Sequence, residues 1–87
     1  MYSLAIRLEL DRKLAKLIKK NRKLYERIMR KVEEIVENPH RYKNLRKPLQ
    51  HLKRVHFGSY VLVFSVDENA RRVILEDYRH HDDIYKV

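Results

Sequence analysis

The 87-residue chain has no cysteine, one glycine and two prolines, and no apolar run of membrane-spanning length. Without cysteine there is no disulfide framework and no thiolate metal site, a composition that fits a reducing compartment. A bilayer span takes about 20 consecutive apolar residues. The opening MYSLAIRLEL is interrupted by charge and is followed by no small-residue cleavage site, unlike a secretory signal. A cytoplasmic protein that engages no membrane is expected. A chain of this size buries only about 60% of the surface its unfolded form exposes, so its stability must rest on apolar packing, alone or with a partner chain.

Negative charge is also scarce. Twelve Asp and Glu face 21 Lys and Arg, a formal net charge of +9. A charged fraction of 38% would also suit a heat-adapted surface. That accounts for the number of charges but not for their one-sided sign. The sign points to a polyanion, with nucleic acid or an acidic protein as the partner.

Alternating apolar residues at Tyr2, Leu4, Ile6 and Leu8 predict a half-buried strand over Tyr2–Leu8. Asp11 is placed to cap a helix running to about Lys20, with Leu14, Leu17 and Ile18 on one face. Asn21 ends it or permits a tight turn. Leu24, Ile28, Val32, Ile35 and Val36 then repeat at helical spacing over Lys23–Glu37, and Asn38-Pro39 stops that helix, because proline disfavours helical geometry in the residue before it. His40–Pro48 is polar, basic and loop-like. Leu49–Phe57 and Tyr60–Val66 are expected strands joined at Gly58-Ser59, the single glycine standing where a type II′ hairpin turn needs one. Asp67–Arg71 makes a further turn, Arg72–Asp77 a last strand, and Tyr78–Val87 a polar, histidine-rich tail. The predicted class is α+β: an N-terminal strand, a helical hairpin and a three-strand antiparallel meander, with the helices packed on one face of the sheet, as one domain over residues 1–87.

In their order and spacing, four short motifs resemble the RelE/ParE superfamily of toxin–antitoxin toxins. These are Glu37-Asn38-Pro39 at the helix end, Lys47-Pro48-Leu49, the hairpin Leu52-Lys53-Arg54-Val55-His56-Phe57-Gly58-Ser59-Tyr60, and the closing Tyr78-Arg79-His80-His81-Asp82-Asp83-Ile84-Tyr85. The resemblance covers nearly the whole chain. It implies a two-layer RelE-like fold and a concave basic site that cleaves mRNA in the ribosomal decoding centre. It also implies a RelB-like antitoxin that wraps and silences the toxin. Carried over by position, Arg54 and His56 match two cationic strand residues, Arg79 the tail arginine and Tyr85 the terminal tyrosine. In one departure, Val61 follows the hairpin tyrosine where many RelE-like enzymes carry an arginine that stabilises the transition state. Either neighbouring histidines take over its work, as in histidine-using relatives resembling YafQ, or cleavage is weakened.

The chemistry is consistent with these residues. Metal-free RNA cleavage needs a base for the 2′-hydroxyl, fixed positive charge for the phosphorane-like anion and an acid for the leaving oxygen. Histidine suits acid and base work, with an unperturbed pKa of about 6.5, and arginine suits the phosphate through its planar fork. His51, His56, His80 and His81 all lie in the second half of the chain. Arg54 and His56 share one strand face, and Val55 and Phe57 share the other. Across the hairpin, Tyr60, Leu62 and Phe64 are expected in the core, with Val61, Val63 and Ser65 on the outer face. Arg54, His56, Arg79, His80, His81 and Tyr85 are therefore the catalytic candidates, Tyr85 stacking on a base, joining proton transfer or only capping the core. No cofactor is expected, and no metal, because adjacent residues such as His80 and His81 rarely ligate the same ion in a structural site.

Between Arg12 and Lys31 there are ten Lys or Arg and one acid, Glu26. Many such charges only solvate a helix face, but this density can grip RNA phosphates and so set register without reading sequence. Lys16, Lys19, Lys20, Arg22, Lys23 and Arg27, with Lys53 on the strand, are the expected RNA- and ribosome-contacting residues. The rival readings are a ParE-like toxin acting on DNA gyrase and a non-catalytic RNA-binding homologue. The histidine-rich tail favours the nuclease; Val61 leans the other way.

Overall fold

The computed structural model describes residues 1–84, which leaves the Tyr85 candidate outside the described residues. In chain order it contains β1 (Ser3–Ile6), α1 (Leu8–Lys20), α2 (Arg22–Glu37), a 3-10 turn (Pro39–Arg41), β2 (Lys53–Phe57), β3 (Tyr60–Asp67), β4 (Arg72–His80) and a second 3-10 turn (His81–Asp83). The sheet order is β1-β4-β3-β2. β1 runs parallel to β4, whereas β2–β3 and β3–β4 are antiparallel. This is the expected α+β layering. Among the described residues no helix is long and apolar enough to cross a membrane.

The first strand is shorter than its alternation predicts, because Leu8 already opens α1 and is 63% exposed. Asp11 is therefore not the N-cap. Arg7 holds that place without a side-chain bond, and Asp11 joins Glu9 in the first turn, where negative charge favours the helix dipole. The earlier start brings Leu10 one turn ahead of Leu14, and both are buried. Asn21 serves both helices: its N–H donates to the Leu17 carbonyl at the end of α1, and its side-chain oxygen accepts the Leu24 N–H at 3.1 Å to cap α2.

The helices cover one face of the sheet. Leu10, Leu14, Ile28, Val32 and Ile35 pack there against Phe57, Leu62, Phe64, Val73 and Leu75. Phe64, Leu62, Leu75, Ile28 and Leu10 are fully buried, each worth roughly 1.5–3 kcal/mol relative to exposure. Tyr60, expected in this core, is 44% exposed, because it sits at the hairpin end of β3 beyond the reach of the helices. Gly58 adopts φ +62°, while Ser59 does not enter the left-handed region, as a type II′ turn requires.

The other face is not left to solvent. Val61 and Val63 point outward as predicted, yet they are buried under Leu45 and flanked by Leu49, Leu52 and Ile84 in a second, smaller apolar cluster. Residues 49–52, expected to begin β2, instead fold over this face, and β2 starts only at Lys53. At the far end β4 continues through Tyr78, Arg79 and His80, residues that composition alone assigns to the tail.

Candidate active site

Strand register sets the outer face. Arg54 pairs with Val63 and Val63 with Asp77; His56 pairs with Val61 and Val61 with Arg79. Side chains on one face alternate, so these two rows present Arg54, His56, Asp77 and Arg79 around a valine floor. A β-bulge maintains the arrangement. Val63 pairs with Asp77 but Phe64 pairs with Leu75, so Glu76 is the extra residue of β4. Burial pushes the Glu76 carboxyl up, but hydrogen bonds from Arg7 (2.8 Å) and Ser65 (2.6 Å) outweigh it and hold the carboxyl below its ordinary range.

A hollow of about 250 Å³ opens on this face, lined by Arg46, Arg54, His56, Val61, His81 and Ile84, with Leu45 at its wall. Three of the catalytic candidates, Arg54, His56 and His81, thus meet at one place. His81 arrives from the turn after β4. Its backbone N–H donates to the Ser59 carbonyl at 2.8 Å, and its ring Nδ1 lies 3.0 Å from the same oxygen. A carbonyl can only accept, so Nδ1 carries a proton; the other ring nitrogen, Nε2, lies 3.1 Å from Asp82 Oδ1.

Arg79 lies next door. It lines a smaller hollow of about 170 Å³ with Leu49, Leu52, Val63, Glu76, Asp77 and Ile84, and its Nε donates to Asp77. Asp77 also accepts Lys13 Nζ at 2.7 Å and the Tyr78 N–H at 2.8 Å. Burial raises the Asp77 carboxyl, but the Lys13, Arg79 and backbone hydrogen bonds prevail and keep it below the usual carboxylate range. His80 projects to the opposite side of the strand and meets the Tyr60 ring edge-on at 5.5 Å. Tyr60 in turn stacks on Tyr78 at 5.1 Å. Burial, and then the neighbouring Tyr60, push the Tyr78 hydroxyl pKa up.

The helical cations form a separate surface. Lys16, Lys19, Lys20, Arg22, Lys23 and Arg27 are all exposed, and among the described residues none of the six is in an ion pair. Lys16 and Lys20 join Lys13 along a groove floored by Leu14, Leu17 and Tyr78, and the Arg27 guanidinium lies 5.9 Å from the Phe57 ring centre. Lys53 behaves differently from its expected role. Its Nζ is bound by the Tyr42 carbonyl and Asn44 Oδ1, each at 3.0 Å, and ties β2 to the preceding loop.

Sequence reasoning missed Arg46 and Asp77. Arg46 comes from an aperiodic loop, which carries no pattern by which to place it. Asp77 stands two residues before Arg79 and shares its strand face only because β4 runs on to His80, beyond the predicted strand end at Asp77.

With this geometry in view, similarity to known proteins identifies the family. Residues 5–85 match the ParE toxin family of the parDE type II toxin–antitoxin system. The chain belongs to this RelE/ParE superfamily of toxins and is the toxin of a type II toxin–antitoxin system, RelE-like in character. It is 54% identical over 87 residues to a Methanocaldococcus jannaschii protein that carries the toxin name RelE4, covering 99% of this chain and 93% of that one. It is 63% identical over 86 residues to an uncharacterized Methanosarcina mazei protein, covering 98% of this chain and all of the other. Its fold matches the toxin–antitoxin complex RelBE2 of Mycobacterium tuberculosis with a TM-score of 0.77 at 21% identity, over 91% of this chain and 96% of that chain.

Proposed function

We propose that this toxin is a ribosome-dependent mRNA endonuclease, working without a metal ion, that inhibits translation in the cytoplasm and is silenced by a RelB-like antitoxin. The observation that carries the reading is the convergence of Arg54, His56 and His81 on one hollow of the outer face. One imidazole takes the proton of the 2′-hydroxyl, the 2′-oxygen attacks the adjacent phosphorus, and the bond to the 5′-oxygen breaks. The other imidazole protonates that leaving oxygen. The products are a 2′,3′-cyclic phosphate and a 5′-hydroxyl. Arg54 stands where charge develops on the phosphate oxygens, the term that usually contributes most to catalysis. Arg79 joins by exchanging Asp77 for the incoming phosphate, a better partner for its fork. His80, on its tyrosine pair, and Tyr85 supply aromatic surface for a flanking base. The helical lysines and arginines hold ribosomal RNA.

Primer extension on a translated mRNA, with and without ribosomes, tests this. Ribosome-dependent cuts that disappear in His56→Ala support the reading. Growth arrest with no cleavage would shift the target to DNA gyrase, a second reading favoured by the ParE family match and by Val61 in place of arginine.

A further inference from the structure

The turn that closes β4 gathers two histidines and a carboxylate. His81 Nδ1 faces the Ser59 carbonyl, so the lone pair of its neutral ring is on Nε2. His80 Nδ1 accepts the Asp82 N–H at 3.2 Å, which places the His80 lone pair on Nδ1. Both nitrogens lie near one carboxylate: His81 Nε2 is 3.1 Å from Asp82 Oδ1, and His80 Nδ1 is 3.6 Å from Asp82 Oδ2, so an ion bound here displaces the Asp82 N–H from His80 Nδ1. One ligand atom from each residue lies within 4.8 Å of the others, and the two rings stack at 4.6 Å. A proton on His81 Nε2 or a metal ion among these atoms offsets the repulsion between His81 and the carboxylate. Two ligand atoms each about 2.1 Å from a tetrahedral ion are about 3.4 Å apart, close to both nitrogen–oxygen distances.

We propose that His80, His81 and Asp82 bind a divalent cation of the zinc, nickel or copper class in an open site at the protein surface. Two imidazoles and a carboxylate suit such ions, and the Ser59 carbonyl orients His81 as hydrogen-bond partners of metal-bound histidines do. The argument from adjacent residues applies to closed, four-ligand structural sites, whereas here three protein ligands leave the remaining positions to water. The ion engages His81 Nε2 and so removes it from the hollow it shares with Arg54 and His56. Binding itself does not depend on the nuclease reading.

The test is a competition titration of the full chain with Zn²⁺ against a chromogenic chelator at about pH 7.5, above the ordinary histidine range. Wild type is compared with His81→Ala, Asp82→Asn and His51→Ala, and circular dichroism checks the fold of each. One ion per chain is expected, with affinity falling about tenfold or more in the first two variants and unchanged in His51→Ala. Visible absorption of bound Co²⁺, lost in Asp82→Asn, is the second readout. Equal affinity in all four proteins, or no ion bound by wild type, overturns the proposal.

Discussion

The two faces of the sheet are built to opposite specifications. On the helix face, ten buried side chains from two helices and three strands form a continuous core, and among the described residues no charged side chain is fully buried. On the outer face, the buried side chains among the described residues are Leu45, Val61 and Val63, and charged side chains ring them. The small cluster provides a firm floor from which Arg54, His56 and Arg79 project at strand spacing. A large core stabilises the molecule; a small one positions reactive groups while leaving them in contact with solvent.

The comparison can be broken from either side. The largest effect is expected for Phe64→Ala, which should cost about 3–5 kcal/mol by emptying the centre of the helix-face core. Leu45→Ala removes the lid of the outer cluster and should cost about 2 kcal/mol, the low end for such a change, because the loop above it can settle into the gap. Urea denaturation of the two variants measures both. A larger loss for Leu45→Ala would show that the outer cluster, not the helix face, dominates stability. Asn21→Ala is smaller again, at about 1 kcal/mol, because it deletes the α2 cap and leaves both cores whole.

The smallest effect expected is on the acid side of the stability curve. The folded Asp77 carboxyl lies below its ordinary value of about 3.9, so its contribution is complete above that value and is lost as pH falls through the folded pKa. Asp77→Asn should therefore flatten the acid limb of urea midpoint against pH and leave its shape near neutrality unchanged. An unaltered acid limb would mean that the Lys13 and Arg79 bonds do not favour the ionised carboxyl in solution.

Much of this organisation was legible in the sequence. The helical hairpin, the β2–β3 turn and the inward and outward alternation of Arg54, His56, Val55 and Phe57 follow from period and from the single glycine. The class of protein was legible from four motifs in order. Other features were not, for physical reasons. The start of α1 was displaced because Leu8 continues an alternating pattern that the chain abandons in favour of burying Leu10. The cover over Val61 and Val63 is made by an aperiodic loop, whose packing no local periodicity encodes. Arg79 was assigned to the tail, and its attachment to Asp77 was hidden because the last strand runs on past Asp77 to His80. The side taken by His80 follows from strand alternation once β4 is known to reach it, two residues beyond Tyr78, whereas His81 is placed by the turn that follows.

The central claim is that the outer face cuts while the helices hold. Single-turnover cleavage of ribosome-bound mRNA over a range of toxin concentrations, comparing His56→Ala with Lys16→Ala/Lys20→Ala, tests it most directly. The account predicts that His56→Ala lowers the rate at saturating toxin by about a hundredfold or more with half-saturation unchanged. The double lysine variant should keep the saturated rate, need more toxin to reach it and depend less steeply on salt. A full saturated rate in His56→Ala, with the loss falling on the lysine variant, would contradict the account.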